Sequence, residues 1–454
     1  MPSPRPCGGA GSRLIYLKSV PIKVEQTQQL KNSRNSLWSA ASARRFAFLE
    51  RTAARTRRTP HAPIYAQASF IWRSRHSSIN CRPMRSVLLI LLLILPAASA
   101  QEASAPITLS PARQTRDQRI AARFAPVIYQ GLGDQPRADY ITNFDFDGDW
   151  KGDNNWRNAD NRRYPLRGFV YFSVIETTTH FFIHYATFHP RDYKGGLRTS
   201  SLVDALLTEG LRRVGKDPTG GLADDVALSH ENDLEGCLVV AEKKNADSVD
   251  GTIQMVETVA HNQFLRYRAP DYKTAVGDTV DLKDGHPVLF AEPKGHGLSR
   301  YTGFREQLKK SVGGTLIYVY SGRADDPETT RDKTIGYDLI PIYSTLWQQA
   351  QTGENETYGE AAEYQKFTLS RPSPSDSAQS VDLMPGKLGA AFRGTVGFKN
   401  KARPPWGWFD ENEKDRPKGE WFFDPASVIA RHFNLGGSFS RVYVYHPYFR
   451  IGLP

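Results

Sequence analysis

Apolar and polar positions along the chain alternate in short β-type runs from residue 168 onward. GFVYFSVIET, THFFIHYATFHP, GCLVVAEKK, GTIQMVETVAHNQF, HPVLFAE, GTLIYVYS and RVYVYHPY are rich in Val, Ile, Tyr and Phe. Gly, Pro and Asp-Gly turns separate them, the punctuation expected between strands. Upstream, ARFAPVIYQ (122–130) reads as a short helix or strand leading into the fold. Helical spacing is sparse. SSLVDALLTEGLRRVG (200–215) is amphipathic with a Ser cap, and DLIPIYSTLWQQAQ (338–351) and DPASVIARHF (424–433) are the other helix candidates. Many strands with few helices predict a mainly β protein, a β-sandwich with a few peripheral helices.

Charge distribution changes the picture of the N-terminus. The chain has 454 residues and a formal net charge of +11, which alone suggests a nucleic-acid or membrane-surface binder. Yet residues 1–83 hold 15 Lys and Arg against only Glu25 and Glu50, while residues 101–454 hold 43 basic and 46 acidic side chains. The body is nearly neutral, so no basic footprint for nucleic acid remains. Residues 84–100, MRSVLLILLLILPAASA, have a basic start, a nine-residue apolar run from Val87 to Leu95 and a small-x-small end at Ala98-Ser99-Ala100. That is the pattern of a signal peptide cleaved after Ala100, too short to be a stable transmembrane anchor. The expected organisation is therefore an Arg-rich extension over 1–83 ahead of a true start at Met84, a signal peptide over 84–100 and a linker over 101–117. A single large β-rich domain follows over 118–454. A genuine Arg-rich targeting segment is the alternative for 1–83. The expected location is secreted, periplasmic or extracellular. The mature part holds one cysteine, Cys237, and so no internal disulfide.

SHENDLEG (229–236) carries the candidate chemistry, crowding one histidine and three acids ahead of an apolar run. In an extended stretch, alternation puts Asp233 and Glu235 on one face, with His230 in the preceding loop free to fold over them. One imidazole with carboxylates suits a hard divalent cation, Mg or Ca, with Mn also compatible. The plainer alternative is a solvated acidic turn. DFDGDWKGDNNW (145–156) looks like a calcium loop but misses the EF-hand template, with Gly148 at position four and Trp156 at position twelve. The aromatic tail PPWGWFDENEKDRPKGEWFFDPA (404–426) reads either as core edge or as a sugar-stacking face. In HFFIHYATFH, His180 and His184 share a strand face that His189 does not.

YATFHPRD (185–192) followed by SHENDLEG resembles the core of the necrosis- and ethylene-inducing peptide-like proteins, and is similar to the related vacuolar-sorting-associated proteins of plants and fungi. The toxins carry Tyr-x-Pro-Lys-Asp and then Gly-His-Arg-His-Asp-Trp-Glu. The resemblance implies an actinoporin- and lectin-like β-sandwich whose acidic pocket holds a divalent cation, with Asp192, His230, Asp233 and Glu235 as ligands. In cytolytic members that site engages sphingolipid head groups. VETVAHNQF and EPKGHGLSRYTG match more loosely and put His261 and His296 near the pocket, with Glu231 and Asn232 beside it. Glu231, Asn232 and Leu234 stand where the family has Arg, His and Trp, and an insertion separates Asp192 from His230. The resemblance covers roughly residues 120 to 305, and 306–454 is an extension. The function it implies is a secreted, cation-dependent protein binding a glycan or lipid head group. A metal-dependent hydrolase of phosphoester or glycosidic bonds, with His261 or His296 as base, and a structural extracellular protein are the alternatives.

Overall fold

The structure, a computed structural model, describes residues 106–193, 229–273, 275–396, 402–413, 418–436 and 439–453. All belong to one compact unit, Leu95–Pro454. The N-terminal extension, the signal peptide and the predicted helix at 200–215 lie outside the described residues.

The protein is mainly β. Among the described residues one mixed sheet has 13 strands, eleven of them on the path β10-β9-β1-β11 (Gly314–Tyr320)-β12 (Thr334–Pro341)-β2-β3-β4-β5-β6-β7 (Asp278–Thr279), with Leu282–Lys283 beside β9 and Tyr443–Tyr445 beside β2. The strands that matter for the site are β1 (Val127–Leu132), β2 (Phe169–Thr177), β3 (His180–Asp192), β4 (His230–Lys243), β5 (Gly251–Ala260), β6 (Gln263–Arg268), β9 (His286–Ala291) and β10 (Leu298–Arg300). At the centre, β2, β3, β4, β5 and β6 pair antiparallel in sequence order. β1 instead joins β9 in parallel.

The central strands are buried on both faces, which is why they read as near-continuous apolar runs. Alternation still sorts their side chains. Phe182, Ala186 and Phe188 of β3 and Leu234, Leu238 and Val240 of β4 enter one core. Phe181, Ile183 and Tyr185 with Cys237, Val239 and Ala241 enter the other. Over the second face lies the helix Pro111–Phe124, capped by Ser110 with proline in its first turn, which buries Ile120, Ala121 and Phe124. Residues 111–117, expected as linker, are thus its first half. Tyr185 of β3 donates from its hydroxyl to the Ala121 carbonyl at 2.6 Å.

The first face is covered by the C-terminal part of the chain, with Trp347, Trp406, Trp408, Trp421, Phe422 and Phe423 all buried. The tail aromatics are core, as the plainer expectation had it. The helix Pro425–His432, capped by Asp424, falls where the sequence predicted one. The other predicted helix, 338–351, divides into strand up to Pro341, a 3₁₀ turn and the short helix Leu346–Ala350. Apart from two two-stranded ribbons, the described strands form this one large mixed sheet, with helix and aromatic loop packed over its faces.

The sheet curls. Thr258 of β5 donates to the Leu298 carbonyl of β10 at 2.7 Å, although β10 is the opposite edge of the strand order. A Cβ at Gly297 would sit 3.0 Å from that of Ala260. This closure brings the loop before β10 over the ends of β4 and β5. Among the described residues no helix is long and apolar enough to cross a membrane.

Candidate functional site

β4 begins at His230, six residues ahead of the apolar run, so the acidic stretch lies within the strand. Asp192 of β3 stands opposite His230, Arg191 opposite Glu231 and His189 opposite Asp233. Between the last two pairs lies Asn232, whose φ of 59° is left-handed, a region Asn tolerates better than most residues. Its side chain explains the kink. The Asn232 amide donates to the carbonyls of Gly152 and Arg393, each at 2.7 Å, and accepts from Asn155 at 2.8 Å. The Glu231 carboxylate accepts from the amides of Trp156 at 2.7 Å and Thr395 at 2.6 Å. Burial still pushes its pKa up despite these donors. Glu231 and Asn232, expected beside the pocket, are therefore brackets turned to the 152–156 and 393–396 loops.

Asp192, His230, Asp233 and Glu235 come together as walls of one small cleft of about 30 Å³. His230 donates from Nδ1 to the Asn232 carbonyl at 2.8 Å, which leaves Nε2 facing Asp192 Oδ2 at 3.4 Å. Asp233 accepts from His296 Nδ1 at 2.8 Å, and on its other side His296 Nε2 lies 3.3 Å from Asp139. Asp139 in turn accepts from the amides of Gly133 and Lys294, both at 2.7 Å. Burial alone would lower the His296 pKa. The two carboxylates outweigh it and hold the imidazole at about 9, so it is an imidazolium at neutral pH. Asp233, buried but ion-paired, is correspondingly held below the ordinary carboxylate range. His189 stacks flat on His296, with ring centroids 3.7 Å apart and planes 3° from parallel. Burial and that neighbouring charge push the His189 pKa well down. The ring is neutral and hydrogen-bonds Gln130 through Nε2 at 3.2 Å.

His261 also lines the cleft. It and Asn262 form the two-residue turn between β5 and β6, with φ of 51° and 56° at the two positions. The sequence had read this segment as a single strand. The His261 imidazole pairs with Glu292. Arg403 and Trp408, from the C-terminal extension, complete the wall. Nothing in their spacing marked them, nor Asp139 and His189, as belonging here.

Carboxylate oxygens and an imidazole are donor types that a hard divalent cation takes. Among the described residues no three His, Cys, Asp or Glu side chains are grouped so as to hold a metal ion. Asp233 shares its carboxylate with His296, which accounts for part of that. Elsewhere, two carboxylates of the Asp-rich loop at 145–156 are taken up by nearby donors. Asp147 accepts from the Asp149 amide and Asn158, and Asp149 from the Lys151 amide and Asn154. His180 and His184 hydrogen-bond Gln254 and the Trp421 carbonyl.

No protein-family model matches the chain, and no curated protein matches it. Twelve solved chains do resemble its structure. They include the non-toxic HaNLP3 protein, at 14% identity over 53% of this chain and 78% of that one, with a TM-score of 0.24. NLPPya in complex with mannosamine is 14% identical over 44% of this chain and 74% of its own, TM-score 0.24. Necrosis and Ethylene inducing Protein 2, from the causal agent of cocoa's Witches Broom disease, is 14% identical over 52% and 76%, TM-score 0.21. The likeness is distant, and the function is read from this chain's own residues.

Proposed function

We propose that this protein is a secreted binding protein in which a divalent cation, held by Asp192, His230, Asp233 and Glu235, grips a sugar or lipid head group at the cleft mouth. The observation that carries this is the His230 tautomer. Its Nδ1 donates to a backbone carbonyl, which turns Nε2 toward the Asp192 carboxylate across 3.4 Å. A ligating histidine is oriented through its second nitrogen in this manner. Carboxylates favour Mg, Ca or Mn. When bound, the cation would supply the positive charge on which ligand oxygens settle. The chain's own residues orient the donors, with Asn232 setting His230 and His296 fixing Asp233.

Catalysis is less well supported. Of the two candidate bases, His296 is an imidazolium locked between two aspartates, and His261 is paired with Glu292. Neither is poised to take a proton from water.

Calorimetric titration of the chelator-stripped protein with Mg, Ca and Mn tests the proposal. The informative variants are Asp192→Asn and Glu235→Gln. Changing Asp233 would also strand the buried His296 charge. Saturable binding by the native chain, weakened at least tenfold in both variants, about 1.4 kcal/mol each, is the expected result. A folded native chain that takes up none of the three cations would overturn it.

A further inference from the structure

Four large apolar side chains stand exposed among the described residues, and the two most exposed of them share one loop. Phe304 is 71% exposed and Val312 73%, on the segment 303–314 that joins β10 to β11. The loop is anchored at its base. Gly303 and Gly314, with φ of 65° and 96°, turn the chain at its two ends. Between them the Gln307 side chain accepts from the Thr302 amide and donates to the Arg300 carbonyl, each at 2.8 Å. The Gly313 amide donates to the Leu132 carbonyl at 2.8 Å, and a Cβ at Gly131 would lie 2.4 Å from Ser311 Oγ. Just ahead of the loop, Tyr301 stacks flat on Tyr129 of β1, with ring centroids 3.8 Å apart. Phe304 and Val312 are therefore displayed by a segment tied to β1 and β10. Around them Arg305, Lys309 and Lys310 are exposed against a single acid, Glu306. Lys310 lies 3.6 Å from Glu292 while itself 76% exposed, a surface pair that neutralises little.

We infer that this loop docks the protein on a lipid bilayer carrying anionic lipids, with Phe304 and Val312 entering the interface and Arg305, Lys309 and Lys310 meeting the head groups. Two apolar side chains are too little for a specific protein partner, which needs about 800 Å² of surface on each side. A bilayer asks for no matching shape. Its boundary region takes up single aromatic and aliphatic side chains, and its surface charge attracts the lysines and arginine beside them. A second copy of the chain is disfavoured by charge, since two such loops brought together would set three basic groups against three. None of these residues lines the Asp192–Glu235 cleft, so docking needs no cation there.

The test mixes the full chain, in chelator, with vesicles of phosphatidylcholine alone or of phosphatidylcholine with phosphatidylserine. Amide hydrogen exchange over 303–314 is expected to slow with the mixed vesicles, which separates this contact from any made by the Arg-rich residues 1–83. Phe304→Ser combined with Val312→Ser is expected to weaken binding to the mixed vesicles about tenfold. Lys309→Gln combined with Lys310→Gln should weaken it to a similar degree, about fivefold per lysine at low salt, and flatten its dependence on salt. All four positions are exposed, and exchange over the rest of the chain reports whether each variant is folded. Vesicle binding that leaves exchange over 303–314 unchanged would overturn the proposal, as would binding that neither pair of substitutions weakens, or none at all. A dimer in lipid-free solution that Phe304→Ser dissolves would also overturn it, by assigning the loop to a second copy.

Discussion

Asn232 looks like a ligand in the sequence and acts as a strut in the fold. It is fully buried, sits at positive φ, and serves two carbonyls and one side-chain amide with a single carboxamide. Asn232→Ala would strand all three partners, each buried group left unsatisfied costing about 1–3 kcal/mol before relaxation. A loss of about 2–4 kcal/mol is expected, read as a lower denaturation midpoint. Asn232→Asp should fare little better, since its carboxylate oxygens would face the Gly152 and Arg393 carbonyls. The residue types of the site were legible in the SHENDLEG run. Which members of the run turn inward was not. Strict alternation fails at a left-handed residue, and only the loops at 152 and 393 explain why the chain bends there. Asp139 and His189 were hidden for the same kind of reason, because they meet His296 through contacts far apart in sequence.

At the scale of elements, β4 is pinned between β3 and an aromatic from the extension. A Cβ at Gly236 would lie 2.2 Å from the Tyr185 carbonyl and 2.6 Å from Trp408 Cη2. Neither the backbone nor a buried indole can give way cheaply. Gly236→Ala should therefore lower stability by about 1–3 kcal/mol, the usual range for forced overpacking. Because Trp408 also lines the cleft, the same variant should shift the near-ultraviolet aromatic spectrum and weaken cation binding; a stability loss with an unchanged spectrum would mean that β4 moves instead. The strands themselves were readable from their β-branched and aromatic runs. The β5–β6 hairpin was not, because its turn is His261-Asn262 rather than the Asn-Gly or Asp-Gly pair that announces such turns.

In the whole molecule, the order of strands could not be inferred from the runs. β1 sits beside β9, and the sheet curls until β10 meets β5, so the site forms where distant segments close. The C-terminal extension contributes twice, as cover for one face of the sheet and as a wall of the cleft. His432 ties the two roles together. Its Nδ1 meets Glu257 of β5 at 2.6 Å and its Nε2 meets Glu413 at 2.9 Å, with Arg266 beside both glutamates and Arg431 beside Glu413. Glu257 also accepts from Trp421 Nε1 at 2.8 Å. Burial works against the imidazolium, but the two glutamates outweigh it and raise the His432 pKa above the ordinary value. The sign of the pH effect follows. A raised folded-state pKa means that this clasp stabilises fully below about pH 6.5, where unfolded histidine is protonated too, and fades as pH climbs through the folded value. His296, held at about 9, adds a decline of the same sign, so the native protein should lose thermal stability steadily from neutral to alkaline pH. His432→Gln separates the two contributions. It should melt lower than the native chain at pH 6, and the gap between them should narrow as pH rises toward 9 and the native clasp loses its proton. A gap that stays constant across that range would show that His432 acts through packing alone, and that the extension is fastened to the sheet by its aromatic core rather than by charge.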